Sequence, residues 1–153
     1  MVKKSGGLVI LVADDDEDDC FLIRDALVEN GFTGDFRFVL DGRELMEALL
    51  CGIEGECSRV EPKPDLILLD LNMPKKDGRE ALREIKANPE LNKIPVVVLT
   101  TSGDRRDIEL CRRLGASSFI TKPMSFHEWI SAMGTVCGHL SGAGSHRPES
   151  SLH

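Results

Sequence analysis

Five short apolar runs, each followed by an amphipathic stretch, succeed one another along this chain, and no other feature limits its possible folds so strongly. Leu8 to Ala13, Asp35 to Val39, Asp65 to Asp70, Pro95 to Thr100 and Ser117 to Thr121 read as strands. Asp18 to Asn30, Gly42 to Cys51, Gly78 to Ala87, Asp104 to Leu114 and Ser125 to Val136 read as helices, with Gly31 and Gly115 as stop signals. The first, third and fourth strands are continuously apolar, as strands covered on both faces must be, so they belong at the centre of the sheet. Strict alternation of strand and helix implies an α/β fold, a five-stranded parallel sheet doubly wound by helices on both faces. Ligands of such sheets bind outside the carboxyl ends of the strands.

At 153 residues and 41% hydrophobic content, the chain suits one domain with a genuine core. That domain is expected over 8–137, preceded by an extension, 1–7, and followed by a Ser-, Gly- and His-rich flexible tail, 138–153. Residues 52–64 form a longer connection than is usual between such elements. The formal net charge of −7 comes from 19 basic and 26 acidic side chains, and six of those acids stand together from Asp14 to Asp19. Without that run the charges nearly balance, so nucleic acid is not an expected direct partner. No apolar stretch approaches the roughly 20 residues that span a bilayer, and no secretory leader is evident. Five widely spaced cysteines without a CxxC pair suggest neither a disulfide framework nor a zinc site. A cytoplasmic protein with reduced thiols and no membrane contact is expected.

The chemistry lies at the strand ends. Asp14 and Asp15 follow the first strand, Asp70 ends the third, Thr100 ends the fourth, and Lys122 follows the fifth. Clustered acids repel one another unless protonated, solvated or neutralised by a cation. A carboxylate can attack phosphorus, but an anion approaching a phosphoryl group needs charge compensation, and a divalent metal on neighbouring acids supplies it. All-oxygen ligands suit Mg²⁺. A lysine ammonium and a threonine hydroxyl can then engage the phosphoryl oxygens. A calcium loop of the D-x-[DN]-x-[DN]-G form is excluded by Asp19, where the turn needs glycine.

These residues are similar to those of two-component response-regulator receiver domains. Asp14-Asp15, Asp70 in Leu-Leu-Asp-Leu-Asn-Met-Pro, Thr100 in Val-Val-Leu-Thr-Thr-Ser, and Lys122-Pro123 carry the resemblance over Leu8 to Val136, with 30 residues from Asp70 to Thr100 and 22 from Thr100 to Lys122. The resemblance implies a flavodoxin-like (βα)5 fold with strand order 2-1-3-4-5. It implies Asp70 as phosphoacceptor, and Asp14, Asp15, Asp70 and Asn72 as the Mg²⁺ site, with Asn72 acting through its carbonyl. Thr100 and Lys122 would grip the phosphoryl group, Thr100 and Phe119 would form the switch, and the Lys122-Pro123 bond would be cis. The segment from Pro64 to Glu80 and the long loop before it resemble single-domain regulators partnered with bacterial phytochrome kinases. A sensor histidine kinase is then the expected phosphodonor, and output is expected through protein contact with an unnamed downstream partner or a second copy of the chain.

Each residue also has a plainer reading. Acids near a helix start are favourable without any ligand, which accounts for Asp16, Glu17, Asp18 and Asp19. Asp70 could cap a turn, Thr100 could be an ordinary strand residue, Phe119 could be core, and Arg105, Arg106, Arg112 and Arg113 could form a solvated face. Two other classes stay open: an aspartyl phosphatase or phosphotransferase, disfavoured because Asn72 stands where D-x-D chemistry needs an acid, and a phosphorylation-independent adaptor.

Overall fold

The computed structural model describes residues 8–54, 63–73, 75–101 and 104–144. Strands and helices alternate without exception: β1 Val9–Ala13, α1 Glu17–Glu29, β2 Asp35–Val39, α2 Gly42–Glu54, β3 Leu66–Asp70, α3 Gly78–Ala87, β4 Val96–Thr100, α4 Arg105–Leu114, β5 Ser118–Thr121 and α5 Phe126–Gly144. All strand pairs are parallel, in the order β2-β1-β3-β4-β5. This is the flavodoxin-like topology expected from the sequence. The three continuously apolar strands are the central ones, and every residue of each is buried.

The two-residue period of a strand divides those side chains between two cores. Leu11, Ala13, Ile67, Leu69, Val96 and Val98 face the layer of α2, α3 and α4. Ile10, Val12, Leu66, Leu68, Val97 and Leu99 face α1 and α5. At roughly 1.5–3 kcal/mol for each fully buried aliphatic side chain, this double layer is the main stabilising term. It also fixes the register that aligns the strand ends, with Ala13 opposite Leu69, Asp70 opposite Leu99 and Thr100 opposite Thr121.

Helix starts follow local chemistry. Asp16 caps α1 by accepting from the Asp18 and Asp19 amides, so the helix begins at Glu17, one residue earlier than expected. Asp104 caps α4 in the same manner, and Gly115 ends it in the left-handed conformation at φ 105°.

Three expectations need correction. The last helix does not stop at Val136 but continues to Gly144, so residues 138–144 are helical rather than tail. Leu140 explains this: it continues the buried stripe of Trp129, Met133 and Val136 at helical spacing, and that packing overrides the poor propensity of the surrounding Gly and Ser. Helix α2 likewise runs past Cys51 to Glu54, while 55–62 of the long connection, the extension 1–7 and the tail 145–153 lie outside the described residues. The Lys122-Pro123 bond is trans, since no cis peptide occurs among the described residues. Trans is the intrinsically preferred form of an X-Pro bond, and in it the Lys122 amide donates to the Thr100 carbonyl at 2.7 Å.

Candidate functional site

The carboxyl edge of the sheet gathers Asp14, Asp15, Asp70, Thr100 and Lys122 at one place. Asp14 is the first residue beyond β1 and is fully buried, and its backbone N–H donates a hydrogen bond to the Val39 carbonyl at 3.1 Å. Its Oδ1 accepts from the Asp16 amide at 2.9 Å. Asp15, next in sequence, is exposed. Asp70 ends β3, 3% exposed, and its Oδ1 accepts from the Asn72 amide at 3.0 Å. Behind it, Gly78 donates its amide to the Leu71 carbonyl at 3.0 Å, and a Cβ at Gly78 would overlap the Asp70 carbonyl oxygen. The turn that follows the acid thus depends on glycine.

Lys122 closes the site. Its ammonium lies 2.8 Å from Asp19 Oδ2, 2.9 Å from Asp14 Oδ2 and 3.2 Å from Asp70 Oδ2. The contacts with Asp19 and Asp70 are hydrogen bonds. That with Asp14 is an ion pair outside hydrogen-bond geometry, and Asp14 Oδ2 is the buried side-chain oxygen left without a hydrogen-bond partner among the described residues. The oxygen is therefore charge-paired by the ammonium but makes no aligned hydrogen bond.

The charges record the same imbalance. Burial pushes the Asp14 carboxyl up to about 7, against the Asp16 amide and the Lys122 charge, which both favour the anion. Burial also works against the Lys122 ammonium, but Asp19, Asp14 and Asp70 more than offset it and raise its pKa. The Cys20 thiol, 3.7 Å from the Asp14 carbonyl, is pushed up to about 12 by burial and by the neighbouring acids, which keeps it protonated and unreactive.

Asp14, Asp15 and Asp70 can each offer an oxygen within 4.8 Å of the others, and two of the three are buried. A buried carboxylate oxygen without an aligned hydrogen bond, hard oxygen donors and an excess of negative charge fit a divalent cation. Asn72 follows Asp70 by two residues, which puts its backbone on the same turn.

Thr100 is fully buried at the end of β4, beside Asp70 across the β3–β4 pair. Phe119 lies on the neighbouring strand opposite Val98 and is half-buried against the α2–α3–α4 core. It borders a groove of about 480 Å³ between α4 and β5, with Ile108, Cys111, Arg112 and Ala116. Arg105, Arg106, Arg112 and Arg113 are exposed on α4, and Arg112 pairs with Glu109 at 3.3 Å.

Sequence reasoning assigned Asp19 to helix capping and missed its bond to Lys122. The available signal was its place in the first turn, next to Cys20 and four residues before Ile23, which both face inward. It also missed Arg79, whose guanidinium grips Asp107 through two bonds of 2.9 and 2.7 Å and Asp77 through a third of 2.9 Å. This fork ties the loop after Asp70 to the first turn of α4.

The family comparisons agree with this geometry. Residues 10–133 match the response regulator receiver domain model, and the chain belongs to that family. It is similar to the response regulator Rcp1 of Synechocystis sp., 44% identical over 114 residues that cover 74% of this chain and 76% of that protein. Among solved structures it resembles the phosphorylated cyanobacterial phytochrome response regulator RcpA, with a TM-score of 0.79 and 36% identity over 91% of this chain and 97% of that one. It also resembles the Mn²⁺-bound form of Rcp1, with a TM-score of 0.74 and 37% identity over 84% and 91% of the two chains. The fold is that of a receiver domain, a signalling module of response regulators. No helix among the described residues is long and apolar enough to cross a membrane.

Proposed function

We propose that Asp70 is the phosphoacceptor and that the phosphoryl donor is a phosphohistidine on a sensor histidine kinase, in the cytoplasm. The observation that carries this reading is the convergence of a buried Asp70, a buried Asp14 and the Lys122 ammonium at one strand edge. A carboxylate oxygen of Asp70 attacks phosphorus, the P–O bond forms as the P–N bond breaks, and the imidazole nitrogen leaves with the electron pair. Asp14, Asp15 and Asp70 with the Asn72 carbonyl would hold Mg²⁺, which when bound neutralises charge between the carboxylates and the phosphoryl oxygens. The Lys122 ammonium exchanges its bond to Asp70 for one to a phosphoryl oxygen, and the Thr100 hydroxyl engages another. Each donor is preorganised where negative charge gathers.

The added charge of roughly −2 draws Thr100 toward the phosphoryl group. Phe119, beside a groove with room for its ring, turns into the space released, and the α4–β5 surface changes for a partner protein. That surface, with a second copy or an unidentified target, is the output of residues 8–137. Chemistry is confined to the protein's own phosphorylation and slow loss of the phosphoryl group. The likeness to RcpA, a phytochrome response regulator, supports a phytochrome-type kinase as donor.

The test is labelling by a radiolabelled small-molecule phosphodonor and by purified kinases. Label should appear only with Mg²⁺ and vanish in Asp70→Asn. Label that persists in that variant would overturn the assignment.

A further inference from the structure

The acid that reaches Lys122 most closely is not one of the three that can share a cation. Asp19 Oδ2 lies 2.8 Å from Lys122 Nζ, nearer than Asp14 or Asp70, yet the cation-ligating set among the described residues is Asp14, Asp15 and Asp70 alone. Its position is built. Asp14 Oδ1 takes the Asp16 amide, and Asp16 Oδ1 takes the Asp18 and Asp19 amides, so one hydrogen-bonded turn runs from the buried acid to the helix start. That turn points Asp19 inward with Cys20, and the side chains of Asp19 and Lys122 are only 19% and 10% exposed.

Lys122 and a divalent cation compete for the same oxygens. The ammonium stands on Asp14 Oδ2 and Asp70 Oδ2, and a cation that takes those carboxylates repels it at short range. Without another anion, cation loading would push a largely buried ammonium away from its partners. Asp19 offers that anion without itself entering the cation set.

We propose that Asp19 is a positioning residue for Lys122: it keeps the ammonium at the site while a divalent cation displaces it from Asp14 and Asp70. In this way it eases cation entry and holds the lysine ready for the phosphoryl group. The proposal rests on the cation site described above and deepens it.

The experiment is a double-mutant cycle read by Mn²⁺ affinity, from the paramagnetic resonance signal of free Mn²⁺, on the full chain. If Asp19 acts through the lysine, Asp19→Asn lowers affinity by about fivefold in the native background and by less than about twofold in Lys122→Met. Asp19→Glu restores most of the loss. The Lys122 Nζ resonance should also shift less on addition of a diamagnetic divalent ion, Mg²⁺, in the native chain, where the Asp19 bond persists, than in Asp19→Asn. Equal fold-losses in the two backgrounds would mean that Asp19 contributes only its charge, and the proposal fails. Affinity unchanged in Asp19→Asn also overturns it. The cation reading fails separately: Mn²⁺ binding would then be insensitive to Asp15→Asn and Asp70→Asn. Melting curves of all variants establish that each is folded at the titration temperature.

Discussion

Lys122 Nζ donates to Asp70 Oδ2 at 3.2 Å, joining the residue after β5 to the end of β3 across 52 positions of sequence. The bond holds the ammonium where both a cation and a phosphoryl group exert their charge. Lys122→Met should therefore tighten Mg²⁺ binding, since the competitor is gone, and should destabilise the cation-free protein by about 3 kcal/mol because buried carboxylates lose their counter-charge. Calorimetric titration and thermal melts with and without Mg²⁺ measure the two effects, which should have opposite signs.

The Asp14 carboxyl gives a pH dependence. Its folded pKa, raised by burial to about 7 from an ordinary 3.8, means the folded chain binds the proton more tightly than the unfolded one. Stability without a cation should accordingly fall as pH rises from about 4 to about 7, and Asp14→Asn should flatten that slope. Divalent binding should weaken below pH 7 by up to about tenfold per unit, as one proton competes for the carboxylate. Urea unfolding at pH 5 and pH 8, with chelator and with Mg²⁺, checks both.

Arg79 should matter more to stability than a surface ion pair. Its fork on Asp107 is three-quarters buried, with side-chain exposures of 27% and 17%, and Arg79 holds the Asp107 carboxyl below its ordinary range. Arg79→Ala is expected to cost about 1–3 kcal/mol, and Arg79→Lys to recover little of it because the two-pronged geometry is lost. A double-mutant cycle with Asp107→Asn should show coupling of about 1 kcal/mol, and simple additivity would contradict the clamp.

Gly78→Ala tests the turn behind the acceptor. The new methyl group would overlap the Asp70 carbonyl oxygen and the Leu71 backbone. Overpacking of this kind costs about 1–3 kcal/mol, and here it should also slow phosphorylation, since the displaced backbone carries Asp70 with it. Ala81→Gly, on the same helix but away from the turn, should lower stability and leave the phosphorylation rate of the folded fraction unchanged.

Much of this was legible in the residues themselves. The apolar runs from Leu8, Asp65 and Pro95 carry their burial on both faces in plain sight, so the central strands follow from those runs and the parallel sheet from the alternation of strand and helix. Asp14, Asp70, Thr100 and Lys122 stand at strand ends, and the carboxyl edge of a parallel sheet brings strand ends together. The end of α5 was less legible, because Leu140 among glycines and serines means little until the apolar groove it fills is known.

The strand–helix rhythm and the positions of the chemical groups were thus determined by the sequence alone, since both depend on local periodicity and on topology. Only the tertiary structure decided how the charges share one ammonium. Asp19 and Lys122 lie 103 residues apart, and their 2.8 Å bond depends on how the first turn of α1 meets the end of β5. Pairings of this kind are set by packing across the sheet, and no local pattern encodes them.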